Sequence, residues 1–76
     1  MLKRTKGVII RILSNDHNPR HLHASDDKGK NRFKIEENEL YDKVLKIKPK
    51  SEKTVKAFIK ENKTALIKEF DRLNPK

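Results

Sequence analysis

A chain of 76 residues in which 33% are apolar can build one small core, so a single domain over residues 1–76 is expected, as a monomer or homodimer. Cysteine is absent, which excludes disulfide staples and thiolate zinc sites and suits a cytoplasmic protein. The longest apolar run, Val8-Ile9-Ile10, is broken by Arg11, and the basic start Met1-Leu2-Lys3-Arg4 lacks the apolar stretch of a signal peptide, so no membrane association is expected. The formal charge of +9, from 20 basic and 11 acidic residues, favours a polyanionic partner: RNA, DNA or a small acidic protein.

The first predicted strand runs from Gly7 to Leu13, with Val8, Ile10 and Ile12 on one face and Ile9, Arg11 and Leu13 on the other. Ser14 to Arg20 is rich in Asn, Asp, Ser and Pro and reads as a loop. His21 to Ser25 fits a second strand, with Leu22 and Ala24 inward and His21 and His23 on the opposite face. Asp26 to Lys30 is a hairpin turn, and Arg32 to Glu36 alternates with Phe33 and Ile35 inward. After a turn at Glu37-Asn38-Glu39, Leu40 to Lys48 is taken as a fourth strand, or as a segment that turns irregular near Asp42-Lys43, ended by Pro49. Ser51 is placed as the N-cap of a helix over about 51–73, with Glu52 complementing its dipole. Val55, Phe58, Ile59, Leu66, Phe70 and Leu73 recur along it at helical spacing. Asn62 falls in that stripe, as a buried polar group or as a break in the helix.

The strands thus occupy about 7–48, and the order β-β-β-β-α describes a small antiparallel sheet of three to four strands packed on one C-terminal helix, in the α+β class. The two periodicities place Val8, Ile10, Ile12, Leu22, Phe33, Ile35, Val55, Ile59, Leu66 and Phe70 in one core.

Chemistry concentrates at Ser14-Asn15-Asp16-His17-Asn18-Pro19-Arg20-His21-Leu22-His23-Ala24, which holds every histidine of the chain. This segment resembles the signature of a small bacterial family known as domain of unknown function 4160, roughly Tyr-Ser-Asn-Asp-His-x-Pro-Pro-His-x-His-Val/Ala. Phe58-Ile59-Lys60-Glu61-Asn62-Lys63 is similar to that family's Trp-Ile-x-Glu-Asn-x. Leu13 stands where an aromatic is usual, and Arg20 replaces the second proline. The family has no established activity. Its members are often encoded beside another small protein, which implies a toxin–antitoxin-like paired module.

Three readings of the histidines compete. In one, His17, His21 and His23 hold zinc or another divalent metal, with Asp16 as a ligand or supporting partner. In another, a histidine among the three is the general acid or base of a ribonuclease-like or metal-dependent hydrolase, with Arg11 and Arg20 holding phosphate. In the third they are structural: Asn15 and Asp16 cap the turn, His17 packs on Pro19, and the rings of His21 and His23 stack on neighbouring strands. Outside this segment, Lys53, Lys56, Lys60 and Lys63 project from an ideal helix within a sector of about 80°. With Arg11 and Arg20 they are the expected phosphate-binding set. The leading expectation is a module that binds nucleic acid or an acidic partner. The rivals are a histidine-centred hydrolase and a structural protein completed by its partner.

Overall fold

The structure, a computed structural model, describes residues 1–75; Lys76, the last residue of the expected domain, lies outside them. Five strands, β1 (Leu2–Thr5), β2 (Val8–Arg11), β3 (His21–Ser25), β4 (Lys30–Lys34) and β5 (Glu39–Leu40), precede one helix, α1 (Pro49–Leu73). The strands form an antiparallel sheet in sequential order β1-β2-β3-β4-β5, and the architecture is α+β. No helix among the described residues is long and apolar enough to cross a membrane.

The core follows from the two periodicities. Ile10 pairs with Ala24 and Leu22 with Phe33, so these side chains project from one face of the sheet. They meet Val55, Ile59, Leu66 and Phe70 of α1, and every residue expected in the core is buried. Ile47, from the segment after β5, joins them at 3% exposure.

The sheet has one strand more than expected. β1 was not anticipated, because Leu2-Lys3-Arg4-Thr5 shows no apolar alternation. It is an edge strand, mostly exposed, and its cations discourage pairing with a further chain. The turn joining it to β2 has Lys6 at φ 48° and Gly7 at φ 77°. Two successive positive-φ residues are what a two-residue hairpin loop requires, since its twist then matches that of the strands.

The fourth expected strand, Leu40 to Lys48, shrinks to the two residues of β5, and the remainder is an irregular loop. Asn31, 2% exposed, explains this. Its Nδ2 donates to Asp42 Oδ2 (3.2 Å) and to the Val44 carbonyl (2.9 Å), while its Oδ1 accepts from the N–H of Lys46 (2.7 Å) and Ile47 (3.0 Å). One side chain thereby satisfies backbone groups that a sheet neighbour would otherwise take. The loop lies so close to the β3–β4 turn that a Cβ on Gly29 would stand 3.0 Å from Lys46 Cβ.

Pro49 opens α1 rather than merely ending a strand, as suits a residue without an N–H in a first turn. Ser51 is not the cap. Lys48 occupies that position without a side-chain hydrogen bond, and Ser51 lies buried inside the first turn. Its Oγ donates to Asp26 Oδ2 (2.6 Å), which also accepts from the Lys48 N–H (2.9 Å), so the β3–β4 turn supplies the capping carboxylate. Asn62 is where α1 kinks, at φ −126° and ψ 18°, with its Nδ2 donating to the Phe58 carbonyl (2.9 Å).

Candidate functional site

The loop between β2 and β3 is held by the end of the helix. Asn74, the C-cap residue of α1, accepts from the Asp16 N–H through Oδ1 (2.7 Å) and donates through Nδ2 to the carbonyls of Leu13 (2.8 Å) and Phe70 (3.0 Å). Asn15 bends the chain at φ 63°, a conformation Asn tolerates, and the Asn18–Pro19 peptide is cis. The bond from Asp16 to Asn74 holds Asp16 over the start of β3.

There it meets two histidines. Asp16 Oδ2 lies 3.0 Å from His23 Nε2 and 3.3 Å from His21 Nε2. His21 Nδ1 stands 2.8 Å from the Pro19 carbonyl oxygen. By alternation both histidines share the strand face opposite Leu22 and Ala24, although His21, at the start of β3, also reaches Phe70 of α1. His21 is nevertheless only 4% exposed, because its ring is enclosed by Tyr41, His23 and Phe70, with centroids at 5.2, 5.2 and 5.7 Å. His23 is half-buried. One ligand atom from each of Asp16, His21 and His23 can be chosen so that all lie within 4.8 Å of one another, close enough for one cation. His17 is exposed and does not belong to this group; the side chain that joins His21 and His23 is Asp16.

The expected phosphate contacts are scattered. Arg20 bridges two carboxylates, donating through NH1 to Glu36 (2.8 Å) and through Nε and NH2 to Asp71 (2.8 and 3.0 Å). The bonds to Asp71 and then Glu36 raise its pKa further and tie the loop to the end of α1. A phosphate would compete with both. The kink at Asn62 interrupts the lysine ridge. Lys56 pairs with Glu52 (3.6 Å), and Lys63 Nζ donates to the Glu36 carbonyl (2.7 Å), while Lys53 and Lys60 are exposed.

The helix covers one face of the sheet only. Register places Arg4, Ile9, Arg11, His23, Lys30 and Arg32 together on the other. That face holds an open depression of about 580 Å³ containing Ile9, Arg11, Leu13, His23, Lys30 and Arg32. Arg32 is paired with Asp42 through Nε (2.9 Å) and NH2 (2.7 Å) and lies 4.3 Å from the Tyr41 ring centre. Burial opposes the charge on Asp42, yet bonds from Arg32 and Asn31 outweigh it and hold that carboxyl below the usual range. Arg4, Arg11 and Lys30 are exposed and, among the described residues, have no carboxylate at ion-pair distance. Of these, sequence reasoning singled out Arg11 alone. The period-two spacing of Lys30, Arg32 and Lys34 was the available signal, whereas Arg4 lay on an unforeseen strand. Asp42 was marked only as a point of irregularity, and nothing in the sequence marked Asn31 or Tyr41.

Residues 7–71 match the model of a family described as Domain of unknown function (DUF4160). No curated protein and no solved structure matches the chain.

Proposed function

The chain belongs to the DUF4160 family of domains of unknown function, and we propose that this member binds nucleic acid through phosphate contacts on the uncovered face of its sheet. The observation that carries the proposal is the set of Arg4, Arg11 and Lys30, exposed on one face and free of carboxylate partners among the described residues. They stand on β1, β2 and β4, so they span about 14 Å at the usual strand spacing. Three unpaired cations on one surface of a chain carrying +9 repel one another, and a row of phosphates relieves that repulsion while releasing counterions. A small acidic protein, as expected for a paired module, is the alternative polyanion.

Anisotropy titration of labelled RNA and duplex DNA at several salt concentrations tests this. Each phosphate contact contributes about 0.7–0.9 to the slope of log affinity against log salt. Arg4→Gln combined with Arg11→Gln is expected to lower that slope by about 1.4–1.8 and to weaken all sequences alike. Lys53→Gln with Lys60→Gln, on the helix, is expected to leave it unchanged. Absence of binding to either nucleic acid at low salt rejects the proposal and leaves the acidic protein as partner. A hydrolase reading draws on one observation: half-buried His23 beside Asp16, an arrangement that orients an imidazole for proton transfer. On that reading His23→Ala abolishes cleavage of bound RNA and leaves binding intact.

A further inference from the structure

We infer that Asp16, His21 and His23 form a binding site for one late-transition-metal dication, zinc foremost. The inference stands apart from nucleic-acid binding, since its ligands are not the cations of the sheet face.

It starts from the convergence of three ligand atoms in a mostly buried place. The Pro19 carbonyl can only accept, so its 2.8 Å contact puts a proton on His21 Nδ1. Nε2 is then the ring atom turned toward Asp16 Oδ2, at 3.3 Å. His23 Nε2 faces the same oxygen at 3.0 Å. His21, at 4% exposure, has little access to water, so its Nε2 and the Asp16 carboxylate face each other in a largely enclosed site. A cation among the three groups would take one ligand atom from each.

The dimensions suit zinc. Atoms bound at about 2.05 Å to a tetrahedral ion lie about 3.3 Å from one another. The two Asp16–histidine pairs at 3.3 and 3.0 Å match this, and one ligand atom from each of the three residues lies within 4.8 Å of the others. Support around the ligands is also of the kind metal sites use. A ligating histidine typically donates its other ring N–H to a carbonyl, as His21 does to Pro19. Asn74 fixes the backbone of Asp16, while Tyr41 and Phe70 hold the His21 ring. Two imidazoles and one carboxylate favour zinc or its neighbours over magnesium or calcium, which prefer oxygen. His23 also lines the open depression, so the remaining coordination position can face solvent there.

Calorimetric titration of the chelator-stripped, dialysed chain with zinc chloride at neutral pH provides the test. The expected result is one ion per chain with submicromolar affinity. Asp16→Asn and His23→Ala, each checked for native circular dichroism, should weaken binding at least about 10-fold, the loss that follows removal of even a supporting group. These two partly exposed positions avoid truncating the core residue His21. His17→Ala should bind like the parent. Imidazole ¹⁵N spectra add a second readout: zinc should shift Nε2 of His21 while its Nδ1 stays protonated. No binding by the parent chain, full binding by both variants, loss of the site with His17→Ala, or a doubly protonated His21 unmoved by zinc would each overturn the inference.

Discussion

Asn31→Ala probes the feature that most shapes the half of the molecule beside the helix N-terminus. Asn31 holds the segment after β5 through four hydrogen bonds, to Asp42, Val44, Lys46 and Ile47. The bond to the Ile47 N–H is buried, so removing its acceptor strands a donor away from water, at about 1–3 kcal/mol. Val44 and Lys46 are exposed residues whose backbone groups can turn to solvent, each at a net loss of about 0.5–1.5 kcal/mol. The expected destabilisation is therefore about 2–6 kcal/mol, a large share of the roughly 5–15 kcal/mol available to a domain. Urea unfolding followed by circular dichroism measures it. Asn31→Asp sharpens the argument, because it keeps an acceptor for Lys46 and Ile47 but sets a second carboxylate about 3.2 Å from Asp42 Oδ2. Its deficit should be large at neutral pH and shrink as acid protonates one of the pair. A change below about 1 kcal/mol for Asn31→Ala, at unaltered m-value, would refute the view that this side chain organises the loop.

Phe70, 2% exposed, should cost about 3–5 kcal/mol on replacement by Ala, and a loss under about 1 kcal/mol in the same unfolding assay would place it outside the core. Burial opposes the charge on Asp26, but bonds from Ser51, Lys48, Lys28 and Gly29 outweigh it and hold the carboxyl far below the aspartate range. Its folded pKa being the lower, Asp26 stabilises fully above the unfolded value near 3.9, and that contribution is lost as pH falls below it. Stability measured from pH 6 to pH 2 should accordingly decline less steeply in Asp26→Asn than in the parent, and parallel curves would contradict this. Lys6 stands at φ 48° in the β1–β2 turn, where Asn is better tolerated, so Lys6→Asn should raise the urea midpoint by about 0.5–1 kcal/mol in stability. A lowered midpoint would show that the Lys6 side chain outweighs its backbone strain.

Much of the fold was legible because it is written in local periods. Leu22 and Ala24 alternate with His21 and His23, Phe33 and Ile35 alternate with charged neighbours, and Val55 to Phe70 keep a helical stripe. Such patterns leave one buried face per element, and the sheet-on-helix arrangement is the way to cover both. β1 escaped for the converse reason: an edge strand buries little, so it places little demand on its side chains. The turn at Lys6-Gly7 was the sole local trace of it.

The histidine segment divides in the same way. The sequence by itself determined that His21 and His23 share a strand face and that Asp16 lies in an adjoining loop, since both depend on near neighbours. Which third group joins them was decided by Asn74, 58 positions away, which draws the Asp16 backbone inward and leaves His17 exposed. Arg20 was legible as a cation but not as the partner of Asp71, and Asn31, between the expected turn and the expected strand, was not legible at all. Spacing along the chain reports which residues share a face. Only the packed molecule decides which polar groups meet, because a buried donor or acceptor must take whatever partner the tertiary contacts bring within reach.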